Sequence, residues 1–149
     1  MQESKRSTRK FLIDTNLFVA AVFKIPKVTK SLELLLRILK DESIELVGNE
    51  FLFYEFMRYA ERFRSVTALL LLKGLVDKME IVEVRGENVS KCKPHFPRTE
   101  VKDIMHAATC LQTDAVLITN NYRHFKKIAD SGIIEVWSIH AAMRHFIKS

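Results

Sequence analysis

Short apolar runs recur along the chain at 10–13, 44–48, 79–84, 115–118 and 133–137. Segments with helical periodicity lie between and after them, at about 29–41, 49–61, 65–77, 99–112, 121–131 and 138–147. This alternation limits the fold more than any other feature. Strands that alternate with helices join into a parallel sheet, because each parallel pair needs a crossover and the crossover helix covers a face. Runs such as Ala115-Val116-Leu117-Ile118 show no polar alternation, as strands buried on both faces should not. The expected architecture is therefore α/β, a parallel sheet of five strands covered on both sides. Thr99 and Ser138 are expected N-caps, and Gly132 an expected helix stop.

The chain has 149 residues and reads as one domain, 1–149, opening on a basic extension at 1–9. A chain this long buries roughly 70% of its unfolded surface, so it needs no disulfide or zinc to fold. No apolar run reaches the roughly 20 residues of a membrane span, and the start is polar and basic, so neither a membrane segment nor a secretory signal is expected. Cys92, placed in a loop, and Cys110, placed in a helix, have no metal-binding spacing and are expected as free thiols of a cytoplasmic protein. The net charge of +6 suggests a polyanionic partner. Basic residues cluster at Lys5, Arg6, Arg9 and Lys10, at Lys91, Lys93, His95 and Arg98, and at Arg123, His124, Lys126 and Lys127.

In such a sheet ligands bind beyond the carboxyl ends of the strands. That rule sorts the acids. Asp14 follows the first strand, Glu55 lies one to two turns into the helix after the second, and Asp103 lies in the first turns of the helix before the fourth. Asn120 and Asn121 follow the fourth strand. Asp114 falls at the opposite end, and with Asp41, Asp77 and Asp130 it reads as a turn or cap residue. Two like charges about 4 Å apart cost on the order of 4 kcal/mol at an effective dielectric near 20. Three converging carboxylates thus call for a cation. Oxygen ligands without a thiolate or histidine cluster point to Mg²⁺ or Mn²⁺, which suits phosphodiester hydrolysis. On this reading Asp14 is a metal ligand supported by Thr15 and Asn16.

The stretches FLIDTN, LVGNEFLFYEF, TEVKDIMHAAT and LITNNYRHF, in that order, resemble the successive motifs of the PIN domain (PilT N-terminus) family. The resemblance spans about residues 10–140. It implies a three-layer α/β/α sandwich with a parallel sheet and a Mg²⁺- or Mn²⁺-dependent endoribonuclease, as in the toxins of VapBC-type toxin–antitoxin pairs. It assigns the first, second and third acids to Asp14, Glu55 and Asp103, and makes Thr15 the hydroxyl residue that helps hold the first. Thr119 and Asn121 fall in the fourth motif. That motif departs from the family, because Asn121 and His124 stand where an acid is usual, which argues against a second tightly held metal. Glu100, one turn before Asp103, offers partial compensation or serves the helix dipole.

RNA is the implied substrate, with Lys91, Lys93, Arg98, Arg123 and Lys126 as its expected contacts. Helix 49–61 is apolar nearly all round and the Leu69–Leu72 run follows it, so a homodimer is expected; an antitoxin protein is the other implied partner. The alternative is a weak or inactive PIN module that binds RNA or a protein. A haloacid-dehalogenase phosphatase would need an acid where Asn16 stands, and the glycine-rich nucleotide motifs are missing.

Overall fold

The computed structural model describes residues 9–24, 27–62 and 65–148, with side chains as far as Phe146. In chain order the elements are β1 (Arg9–Ile13), α1 (Thr15–Phe23), α2 (Lys30–Lys40), β2 (Ile44–Gly48), α3 (Glu50–Arg62), α4 (Val66–Lys78), β3 (Met79–Ile81) and α5 (Gly86–Cys92). A short 3-10 helix (Lys93–His95) leads to α6 (Val101–Thr113), β4 (Val116–Thr119), α7 (Tyr122–Ser131), β5 (Glu135–Ser138) and α8 (Ile139–Lys148). Lys5 and Arg6 lie outside the described residues, and Arg9, expected in the extension, belongs to β1.

The five strands form one parallel sheet in the order β3-β2-β1-β4-β5, flanked by helices as an α/β/α sandwich. The chain starts at the centre, moves outward through β2 to β3, then returns to lay β4 on the other side of β1. That reversal leaves a crevice at the carboxyl ends of β1 and β4, the usual ligand position of an open α/β sheet. Phe11, Leu12, Val116, Leu117 and Ile118 are buried, which is why these strands read as unbroken apolar runs. Burying each large apolar side chain contributes about 1.5–3 kcal/mol.

Several expectations need correction. The stretch 15–23 has no clear helical period because it is apolar on every face, yet it forms α1. The segment 86–92, expected as loop, is a helix, and Cys92 is buried in it. Burial pushes the Cys92 thiol up to about 11 and raises that of Cys110 as well, so both are inert thiols. The third strand ends at Ile81. Thr99 does not cap α6: Glu100 holds the N-cap position and makes no side-chain capping bond. Ser138 does cap, accepting from the Ala141 N–H, and Gly132 closes α7 in the left-handed region at φ 82°. The acids set aside behave as turn residues: Asp114 is a left-handed C-cap, Asp41 binds Ser43, and Asp77 and Asp130 pair with lysines one turn earlier.

Candidate active site at the strand carboxyl ends

Asp14 occupies the N-cap position of α1, where a carboxylate ordinarily accepts from the helix's free N–H groups. Here it makes no capping bond. Instead Thr119 Oγ1, at the end of β4, donates to Asp14 Oδ2 at 2.9 Å. The backbone N–H of Asp14 donates to Ile118 O at 3.0 Å, which ties the acid to the crevice between β1 and β4. Thr119 is in turn oriented by the Asn121 N–H, which donates to its oxygen at 2.9 Å. Asn16 Oδ1 accepts from the Asn120 N–H at 3.0 Å. The hydroxyl that holds the first acid is thus Thr119, in place of the expected Thr15. Asn121 occupies the N-cap position of α7 but makes no side-chain capping bond.

Asp103, in the first turn of α6, is also buried. Burial raises the pKa of its carboxyl, and the Asp14 charge raises it further against the opposing pull of His106 and His124. His124 Nδ1 stands 3.2 Å from Asp103 Oδ2. One ligand atom from each of Glu100, Asp103 and His124 falls within 4.8 Å of the others. His124 is both a surface residue, its side chain 52% exposed, and a direct neighbour of Asp103.

Glu55 is held apart from this pair by its own partners. Thr15 Oγ1 donates to its Oε1 at 2.6 Å, and Lys102 Nζ lies 2.9 Å from its Oε2. Asn49 explains a third neighbour. Its Oδ1 accepts from the Leu52 N–H and so caps α3, which leaves its amide to donate to Thr109 and to His106 Nδ1. His106 then carries its proton on Nε2, which is buried, lacks a hydrogen-bond partner and faces Glu55 Oε1 at 3.8 Å. Burial pushes the Glu55 carboxyl up, but the His106 ring, the Thr15 hydroxyl and the Lys102 ammonium outweigh it and hold the pKa at about 2. The His106 contribution is that of a ring N–H aimed across a gap, since 3.8 Å exceeds hydrogen-bond length.

Sequence reasoning missed Lys102, Asn49 and the role of His106. A signal existed for Asn49, because an asparagine directly before a helix is a cap. None existed for Lys102. A groove of about 680 Å³ runs from Thr15, Glu55 and Lys102 to Val19, Phe23 and Tyr59. A larger cavity of about 980 Å³ lies at the opposite strand ends, beside Arg9, Asp114 and Ile134, and holds none of these acids.

Of the expected basic contacts, Lys91, Lys93, Arg98 and Arg123 are exposed. Lys126 is engaged with Asp130 at 2.7 Å. The two basic segments adjoin one another: Lys127 Nζ donates to Pro94 O at 3.3 Å, and the Phe96 and Phe125 rings pack edge to face.

A parallel sheet with buried acids gathered at its topological switch point defines an α/β protein with an acidic crevice site. The chain belongs to the PIN domain family, whose pattern matches residues 11–131. Among solved structures it is similar to VapBC-1 of nontypeable Haemophilus influenzae, at 17% identity and TM-score 0.59, covering 88% of this chain and 98% of that one. VapBC2 of Rickettsia felis, bound to a promoter DNA fragment, aligns at 14% identity and TM-score 0.62 over 87% and 98% of the two chains. A Pyrobaculum aerophilum protein aligns at 14% identity and TM-score 0.60 over 95% and 98%. No curated protein sequence matches. Among the described residues no helix is long and apolar enough to cross a membrane.

Proposed function

We propose that the chain is a divalent-metal-dependent endoribonuclease that hydrolyses RNA phosphodiester bonds and serves as the toxin of a toxin–antitoxin pair. The observation that carries this reading is the placement of two buried carboxylates, Asp14 and Asp103, at the crevice, with Glu100 and His124 within 4.8 Å of Asp103. Such a pair is at ease only beside a cation. Family membership supports nuclease chemistry, and the likeness to VapBC proteins supports an antitoxin partner.

The donor set fits a divalent ion. Glu100, Asp103 and His124 each offer a ligand atom within 4.8 Å of the others, and Asp14 would join them from the end of β1, with Glu55 beyond Thr15. When bound, the ion lowers the pKa of a water and stabilises charge on the departing oxygen. The chain's own part is orientation. Thr119 fixes Asp14, His124 restrains Asp103, and Lys91, Lys93, Arg98 and Arg123 attract the RNA backbone. An imidazole beside the carboxylates favours Mn²⁺ over Mg²⁺, because nitrogen ligands suit the transition metal better.

Cleavage of a fluorogenic single-stranded RNA, with Mn²⁺ or Mg²⁺ added back after chelation, tests the reading. Turnover should need the ion, run faster in Mn²⁺, and vanish in Asp14→Asn and Asp103→Asn. Wild-type cleavage by either variant would overturn the assignment. The second reading, a silent PIN module that binds RNA or a protein, is favoured by the neutralisation of Glu55 by Lys102. RNA binding without cleavage in any divalent ion would select it.

A further inference from the structure

Lys102 stands in the first turn of α6, directly before Asp103. A cation there faces the positive end of the helix dipole, so neither capping nor the dipole explains it. Its side chain is 45% exposed and could turn to water, yet its ammonium lies 2.9 Å from Glu55 Oε2. The partner carboxylate is fixed from its other oxygen by Thr15 at 2.6 Å and faced by the buried Nε2 of His106. The ammonium thus engages Glu55 from the residue that directly precedes Asp103 on α6.

A divalent ion on the same carboxylates would meet this fixed positive charge. We propose that Lys102 is a positioning residue that serves as a built-in counter-cation: it engages Glu55 and confines divalent-ion binding to the Asp14–Asp103 side of the site. The proposal rests on the metal-dependent nuclease reading and deepens it. It also accounts for a site that keeps three acids without the usual fourth. With Glu55 neutralised by Lys102, Asp14 and Asp103 carry the charge that one divalent ion balances, and Glu100 adds one more.

The test is Mn²⁺ titration calorimetry, with Mn²⁺ spin resonance to count ions, on the full chain. Lys102→Met removes the charge and keeps the stem; Lys102→Gln is a second neutral variant should the first fold poorly; Lys102→Arg keeps the charge. The neutral variants should bind Mn²⁺ roughly tenfold tighter, or take up a second ion, since a screened unit charge beside a divalent ion is worth about that much. Lys102→Arg should match wild type. Adding Glu55→Gln to Lys102→Met should return the stoichiometry to the wild-type value, a result that a merely structural lysine would not produce. Saturable wild-type binding with unchanged affinity and stoichiometry in both folded neutral variants overturns the lysine's role and leaves the metal reading intact. Binding by Lys102→Met alone supports the proposal in its strongest form. Absence of Mn²⁺ binding in every form removes the metal centre and the proposal together.

Discussion

At the scale of the residue, Glu55 and Asp103 are acids with opposite consequences for stability. The Glu55 carboxyl falls from its ordinary 4.5 to about 2, so its contribution is complete above 4.5 and is lost as pH drops toward 2. That interval sets an upper bound of roughly 3 kcal/mol, because the His106 ring behind part of it stands beyond hydrogen-bond length. Urea unfolding of Glu55→Gln should show a loss approaching this size at neutral pH, shrinking as pH falls through that window. A pH-independent difference would mean that packing, not charge, holds Glu55. For Asp103 the shift is upward, so folding favours its protonated form and the ionised form costs stability above the folded pKa. Asp103→Asn, and Asp14→Asn beside it, should abolish cleavage while melting at or above the wild-type temperature near neutral pH. A lower melting temperature in both would show that the pair is structural. Asn121 tests the charge balance from the other direction. Its backbone orients Thr119 while its side chain makes no capping bond, so Asn121→Asp adds a charge without removing a cap. Calorimetry should then report tighter Mn²⁺ binding or a second ion, with faster cleavage. Unchanged affinity and rate would place Asn121 outside the site's reach.

At the scale of the element, α3 and α4 leave apolar surface uncovered. Leu52 and Phe56 of α3 and Leu71, Leu72 and Leu75 of α4 enter the core. On the exposed side Tyr54 is 62% accessible, Val66 72% and Leu70 65%, with Phe51, Met57 and Leu69 close by in sequence. Exposed apolar side chains in this number, on two helices that pack together, are a usual mark of an interface. The expected state in solution is a homodimer joined through these helices. Light scattering should return about twice the 17.3 kDa chain mass at micromolar concentration. Leu70→Glu should return it to the monomer value by burying a charge in the contact. A wild-type mass near that of one chain would count against the dimer. The contact would leave the acids free, since they reach the crevice from α1, from the Tyr59 side of α3 and from α6.

At the scale of the whole molecule, the charge of +6 is placed unevenly. Lys91, Lys93, Arg98 and Arg123 lie on two segments that the Lys127–Pro94 and Phe96–Phe125 contacts bring together. Lys126 is taken up by Asp130 and should add little. If each of the four exposed cations neutralises one phosphate of a single strand, log K against log salt should have a slope of roughly −3. Fluorescence anisotropy over a salt series measures it. A flat response would leave these residues as solubility features alone.

The sequence by itself determined the layers, the parallel sheet and the edge at which the acids lie. These follow from apolar periodicity and from the rule that parallel strands carry their sites at the carboxyl end, and both are local or topological properties. It did not reveal α1, because Leu17, Phe18, Ala21 and Val22 face the core while the outward Val19, Ala20 and Phe23 are apolar as well and mask the stripe. Nor did it reveal α5, a polar single-sided helix that owes its place to packing on α6. At the crevice the sequence could place Asp14, Glu55 and Asp103 near the strand ends but not name their partners. Thr119 reaches Asp14 across 105 positions, and Thr15 reaches Glu55 across 40. Such pairings depend on side-chain direction at the end of a strand or in the first turn of a helix, and a one-residue shift in register would dissolve them. Lys102 shows the limit most plainly. Read along the chain it is one more surface lysine; only the packing of α6 beside α3 puts its ammonium on Glu55.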